Sequence, residues 1–485
     1  MTSRALSLVL AASFASGCVD PSASAEPVSA EAPLVGTVHA LAAMAPLTIG
    51  DLEDPRDPAR EGEWTTFARE LAEAKALGIG SISVDVWWGS VERAGDERFD
   101  FRWVDRVAET ILAAGLSWRP VLAFHACGTN VGDTCDVPLP RWVFERYPAE
   151  DLRWVSAQGN TSEESISVWA TPLVIEQYRE FFRAFAARYA PIASRTSGIA
   201  IGLGPASELR YPSYNAHDHG AGYPSAGVLQ AYAPNARASF RRAMLAKYGE
   251  AAAVGRAWAA PIAAADDVDV PSPAELEAMY ARGEHVTSER GRDLFDWYRD
   301  SLFEHGRLVL GAAADVFQRS PLRGTRLSAR IPGVHWRAGD GRRAELSAGL
   351  LATREAAGWG ADGGGHGYGA LADLVAELRA RPDRPDVALE YTCLEKGNGE
   401  GGPAVASRAE DLVFWFADAA HRRGVPVGGE NALAGGLWDP AGWDHIRNVA
   451  RWSHYDELTF LRVHDVVASP ASRAALARFA SRGGS

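Results

Sequence analysis

Two glutamates form a pair suited to acid–base chemistry. Glu208 lies in GPASELRYPSY and Glu430 in GGENALAGG, each after an apolar, strand-like run. Cleaving a bond between a sugar carbon and a bridging oxygen asks for such a pair: one carboxylic acid protonates the leaving oxygen, and one carboxylate activates water or attacks the anomeric carbon. Asp85, His125, His335, Thr392 and Arg462 also close strand-like runs, making a series of polar ends in chain order. A single carboxylate at such a place is often a helix cap, and Glu208 has Arg210 two residues away as a ready ion partner. A whole series of polar ends is harder to explain as capping or core filling.

The elements that would position these residues alternate regularly. Strand candidates are Val38–Ile49, Ile79–Trp88, Arg119–His125, Gly198–Gly204, Arg326–Trp336, Asp386–Cys393, Val425–Glu430 and Glu457–Val463. Between them run helices such as Trp64–Leu77, with Phe67, Leu71 and Ala74 on one face and Gly78 as a stop, then Arg102–Leu116 and Asp411–Arg423. Strand and helix repeated eight times predict an α/β fold, a (β/α)8 barrel of the TIM type, with an apolar interior and its chemistry at the C-terminal strand ends. That puts Glu208 after strand four and Glu430 after strand seven, across the mouth from each other. One connection, about 210–291, is far longer than the rest and contains its own helices, including Ala236–Tyr248. It is expected to be an insertion over the C-terminal face that shapes a substrate cleft.

Composition narrows the partners. The 485 residues are 47% hydrophobic and carry a net charge of −13 without a basic cluster, so nucleic acid and anionic membrane surfaces are poor partners. Sixteen Trp and 13 Tyr offer flat rings for stacking on sugars, although a large core also consumes them. Arg4 and the short apolar run Ala5–Ala15 read as an export signal over 1–18, followed by a flexible tether over 19–34 and a catalytic domain over 35–485. Ser16-Gly17-Cys18 resembles a lipoprotein processing site, with cleavage after Ala23-Ser24-Ala25 as the alternative. The chain is therefore expected to be secreted or lipid-anchored to the cell envelope through Cys18, with no transmembrane segment. In an oxidising compartment the spacing of Cys127 and Cys135 favours a disulfide, whereas a metal site from these two and His125 lacks a second ligand pair. Cys393 reads as a buried thiol.

Longer motifs make the resemblance specific. DVWWG (85–89), FHACGTNVGD (124–133), GPASELRYPSY (204–214), IPGVHW (331–336), TCLE (392–395), GENAL (429–433) and LRV (461–463) resemble the beta-amylase family, in family order, from Met44 to about Val463. The cysteines around GTNVGDT resemble its bacterial branch. The resemblance implies an inverting exo-glycosidase that releases maltose from non-reducing ends of α-1,4-glucans, needs no cofactor for its chemistry and is expected to act as a monomer. It assigns Glu208 as general acid and Glu430 as general base. It also implies sugar contacts from Asp85, His125, Asp133, Arg330, His335, Thr392, Asn431, Ala432 and Arg462. The loop Gly128–Asp133 matches a mobile lid, and Thr392 a second small moving loop. The acid would need a raised pKa, for which a pocket walled by Trp87, Trp88 and Trp336 is expected.

Departures from the family pattern are equally specific. Arg330 stands where a sugar-binding Lys is implied, Ser207 where a Gly is implied, and GLLAT after Glu345 replaces an aromatic segment, followed by a glycine-rich run around His366. Glu92, Asp96, Gln177 and Glu180 fall where a structural Ca²⁺ is implied, with Gln177 replacing a carboxylate. His217-Asp218-His219 is expected to be an exposed turn. The sequence ends about twenty residues after Arg462 without a starch-binding module, so raw granules are expected to be poor substrates. Two other readings compete: a retaining glycosidase with glutamates at the same strands, and a catalytically silent glycan-binding lipoprotein. The first usually has Asn before its acid, where this chain has Ser207; the second has no need of an acid and base pair.

Overall fold

Apolar runs separated by amphipathic ones give strands that are covered on both faces. The computed structural model of the protein describes residues 38, 40–129, 133–339, 341–356 and 367–480. The eight parallel strands are β1 (Ala40–Met44), β2 (Ser81–Trp87), β3 (Ser117–Ala123), β4 (Ile199–Ile201), β5 (Leu327–Ile331), β6 (Val387–Tyr391), β7 (Val427–Glu430) and β8 (Glu457–Phe460). They close in the order β1-β8-β7-β6-β5-β4-β3-β2. Every expected run overlaps one of them, and seven contain theirs whole; β3 begins at Ser117, two residues before its expected start. All seven residues of β2 are buried, as a strand between the barrel interior and an outer helical layer must be. The expected leader, tether and Cys18 lie outside the described residues, among which no helix is long and apolar enough to cross a membrane.

The outer layer includes α1 (Glu61–Ala76), which buries Trp64, Phe67, Leu71 and Ala74, and α2 (Arg102–Ala113), which buries Trp103, Val104, Val107 and Ile111. The latter stops short of Leu116 because Gly115 takes φ +76°, a left-handed turn that glycine adopts readily. A third helix, α3 (Thr171–Tyr189), turns Tyr178, Phe181, Phe182 and Phe185 inward. Each such burial is worth roughly 1.5–3 kcal/mol. Between β4 and β5 come α4 (Pro234–Tyr248), two shorter helices at Ala251–Trp258 and Pro273–Ala281, and the long α5 (Glu289–Phe317) that packs on α3. The sequence reading missed a short antiparallel pair, Trp154–Val155 with Thr161–Ser162.

The barrel interior corrects one expectation, since it is not apolar throughout. Arg119 of β3 donates through Nη1 to Glu457 of β8 at 2.7 Å and through Nη2 to Glu390 of β6. All three are largely shielded from solvent. Glu390 sits in register beside Arg330 on β5, so the ionic layer continues up to the mouth.

Candidate active site

Glu208 is held at the mouth by a strained turn. After β4 the chain makes a 3₁₀ turn over Pro205–Ser207, and Ala206 and Ser207 have φ of +54° and +63°. The left-handed region costs a side chain roughly 1 kcal/mol, which accounts for the glycine the resemblance implies at 207. Ser207 retains a contact of its own, its Oγ lying 3.3 Å from His125 Nδ1. Glu208 then pairs alongside Arg330, and Leu209 N–H donates to the Arg330 carbonyl at 2.8 Å. On Glu208, Oε2 accepts from Arg210 Nε at 2.9 Å and from Tyr214 O–H at 3.4 Å.

Glu430 ends β7 inside the barrel, and Nη2 of Arg330 donates to both of its carboxylate oxygens. Burial pushes the Glu430 carboxyl up to about 7; Arg330 opposes this, while Glu390 and Glu208 add to it. The two glutamates therefore sense each other's charge. Asp85 is also buried and raised by burial, against the pull of Arg462, which lies 3.7 Å away, and of Arg330. Asp133 adds its own negative field to Asp85 and accepts from Gly128 N–H at 2.8 Å. Asp85, Asp133, Glu208, Arg330, Glu430 and Arg462 thus form one electrostatic neighbourhood.

The remaining expected residues line two flanks. His125 is buried against Trp87 and its pKa falls to about 3, chiefly by burial, so it offers a neutral imidazole. Just beyond it, Cys127 and Cys135 are disulfide-bonded, tying the base of the 128–133 loop. A side chain at Gly128, where φ is +96°, would meet the Cys135 carbonyl at 2.7 Å. On the other flank His335 Nδ1 lies 2.8 Å from Ser407 Oγ, and burial lowers its pKa to about 4. Thr392 Oγ accepts from Gly333 N–H at 2.6 Å. Asn431 Oδ1 accepts from Leu461 N–H at 2.9 Å, and Ala432 N–H donates to Glu395 at 2.9 Å.

Of the three tryptophans expected to wall the pocket, Trp88 does not. It begins a short helix, is fully buried among Phe124, Trp142 and Tyr178, and donates to Glu92. Trp336 does stand on the His335 flank, ringed by Tyr214 and Tyr223. The sequence reading also missed Glu164, Tyr214 and Glu395 as parts of the site. Glu395 accepts from the N–H groups of both Ala432 and Leu433 and so shapes the turn after Glu430. It lies in the TCLE motif, which was the available signal. Glu164 had none, since it sits in a polar stretch with no periodicity.

The four residues expected to hold Ca²⁺ come together, and protein donors compete for their carboxylates. Glu92 accepts from Trp88 Nε1 at 2.6 Å and from Glu97 N–H at 2.7 Å, and burial raises it to about 7. The Gln177 amide faces Asp96 (2.7 Å) and Glu180 (3.1 Å) and donates to both when its nitrogen is turned toward them, while Arg146 pairs with Asp96. Protein donors thus reach Glu92 and Asp96, and among the described residues no cluster of three His, Cys, Asp or Glu side chains forms a metal site. The His217-Asp218-His219 segment differs from the exposed turn expected: Asp218 is buried and accepts from Ser156, Asn160, Asn215 and Gln230. Cys393 is a buried free thiol, as expected. The glycine-rich run around His366 lies outside the described residues.

A closed eight-stranded barrel with two electrostatically coupled glutamates at the ends of β4 and β7 defines the class: a (β/α)8 glycoside hydrolase. The chain belongs to glycosyl hydrolase family 14, which it matches over residues 59–481. It is similar to the beta-amylase of Bacillus cereus, 31% identical over 407 residues that make up 83% of this chain and 69% of that one. The thermophilic beta-amylase of Thermoanaerobacterium thermosulfurigenes is 32% identical over 414 residues, 84% and 70% of the two chains. The crystal structure of the catalytic domain of the Paenibacillus polymyxa beta-amylase superposes with a TM-score of 0.77 at 28% identity, over 91% of this chain and 97% of that one.

Proposed function

We propose that the protein releases β-maltose from the non-reducing ends of α-1,4-glucans, with Glu208 as general acid and Glu430 as general base. The observation that carries this reading is the coupling of the two carboxyls across one mouth, each held by its own arginine. Oε2 of Glu208 is held by Arg210 and Tyr214, and the acid delivers its proton to the glycosidic oxygen. Water attacks the anomeric carbon from the opposite face as the carbon–oxygen bond breaks, and Glu430 takes the water's proton. Arg330 favours the ionised Glu430 that this step needs. Inversion in one displacement requires the carboxyls to be about 6.5–9.5 Å apart, leaving room for the water.

Asp85, Asp133, His125, His335, Thr392, Asn431, Ala432, Arg330 and Arg462 supply the mixed donors and acceptors that sugar hydroxyls ask for. Two neutral imidazoles among them add no charge beside an oxocarbenium-like transition state. The 128–133 loop, tied by its disulfide, closes over the terminal sugar and restricts attack to chain ends. The protein works outside the cytoplasm, where that disulfide persists.

Proton NMR of the anomeric signals during the first minutes of maltopentaose digestion tests the reading. Initial β-maltose is expected. Initial α-product would indicate a retaining enzyme, and no product a binding protein. Internal fragments would contradict the exo mode.

A further inference from the structure

Beside the acid lies a third carboxyl for which the proposed mechanism has no use. Glu164 is 1% exposed, and among the described residues neither of its carboxyl oxygens has a hydrogen-bond partner. Its backbone ties it to the site: Ala126 N–H donates to its carbonyl at 2.8 Å, and the next residue, Ser165, bridges His125. The charges that face its carboxyl are Arg210 and Asp133. Arg210 is fully buried, stacks its guanidinium 4.0 Å from the centre of the Tyr214 ring and donates to Glu208. Tyr214 faces Glu164 as well, and its hydroxyl donates to Glu208. One guanidinium therefore acts on two carboxyls, bonded to Glu208 and within electrostatic reach of Glu164. A carboxyl buried without partners resists ionisation, and burial raises Glu164 to about 7, above an ordinary carboxylate.

We infer that Glu164 is a positioning residue for the general acid: when it ionises, it shares the Arg210 charge and so leaves the proton on Glu208 more tightly held. The proton that Glu164 gives up passes to solvent; no bond to substrate is made or broken at this residue. The consequence has a definite sign. While Glu164 is neutral, the Arg210 charge acts chiefly on Glu208, to which it is bonded. As pH rises and Glu164 becomes negative, that charge is divided between the two carboxyls. Asp133, whose charge also faces Glu164, opposes its ionisation.

This inference rests on Glu208 being the acid, so the experiment separates the two claims. The pH dependence of kcat is measured on maltopentaose and on α-maltosyl fluoride, whose leaving group needs no proton. Glu208→Gln should lose the first activity and keep the second; if it loses neither, the acid assignment fails. With that assignment standing, Glu164→Gln should move the alkaline limb on maltopentaose to lower pH by about half to one unit, a fraction of a direct charge contact. The wild-type to variant ratio should then grow about three- to tenfold above pH 7, with little change in KM and no such shift on the fluoride. Glu164→Asp, which keeps the charge, should return the limb toward its original place. Glu164→Leu removes the charge in an apolar form, so either neutral variant suffices if one folds poorly. A superimposable alkaline limb, or a loss of the same factor at every pH, would overturn the inference.

Discussion

Arg330 and Glu430 form a buried ion pair in which one guanidinium nitrogen serves both oxygens of the carboxylate. The pairing places a permanent cation against the group proposed to accept the water's proton. It also gives the Arg at this position a task besides the sugar binding proposed for it, because burial alone would leave Glu430 protonated at neutral pH.

Removing that cation should disable the base in a pH-dependent way. In Arg330→Ala the opposing charge is gone, so the Glu430 pKa rises further above about 7 and the carboxylate is scarcer at neutral pH. The acidic limb of kcat/KM should move to higher pH by about one unit or more, as for loss of a close opposite charge. Arg330→Lys keeps a charge and should return much of the activity at pH 7. A pH–rate profile of the three proteins checks this, and an unmoved acidic limb in the alanine variant would contradict it.

Each proton-transfer group is expected to be indispensable to turnover but not to binding. Glu208→Gln and Glu430→Gln should each lower kcat on maltopentaose by at least ~10²-fold. Calorimetric titration with maltose should still detect binding to both. On α-maltosyl fluoride the two should diverge, with the Glu208 variant active and the Glu430 variant inactive; the opposite pattern would exchange their roles.

The disulfide at the base of the loop should matter for stability and for closure. Its cysteines are 8 residues apart, and a bond closing so short a loop contributes about 2–3 kcal/mol on the chain-entropy account. Cys127→Ser with Cys135→Ser should therefore melt several degrees lower and raise KM more than it lowers kcat. Mass spectrometry of alkylated, non-reduced wild-type protein should find both thiols blocked, and finding them free would remove the basis of this expectation.

Where Glu92 and Asp96 meet Gln177 and Glu180 of α3, Arg146 pairs with Asp96 and the Gln177 amide can donate to Asp96 and Glu180. Chelation with EDTA should leave the melting temperature unchanged. Gln177→Glu places a further carboxylate beside Glu180 and Asp96, and should lower the melting temperature without calcium and recover it when calcium is added. A wild-type protein that melts lower in EDTA would show that an ion binds here despite those donors.

How far the sequence reveals this site depends on whether its geometry is local. The eight strands and the residues that end them follow from local pattern, and so do Glu208 and Glu430. Trp88 was misread because β2 is buried on both faces, so no alternation marks where the strand gives way to a helical turn. The partners that set the charges are another matter. Arg330 and Glu430 are 100 residues apart and Arg119 and Glu390 are 271, and no spacing rule joins them. Glu164 was invisible for the same reason, since what distinguishes it is burial without a partner rather than its neighbours in the chain.

The ionic layer deep in the barrel also bears on how the barrel closes. Arg119 on β3 reaches Glu390 on β6 and Glu457 on β8, so it links strands that are not neighbours across the lumen. An apolar lumen tolerates a strand that slides along its partner, because one greasy side chain substitutes for another. Here a slip of one residue would turn a carboxylate outward and strand the guanidinium in a dry interior, a loss of several kcal/mol. The charges act as a key cut for one alignment, and the same alignment sets Arg330 beside Glu208 and within reach of Glu430.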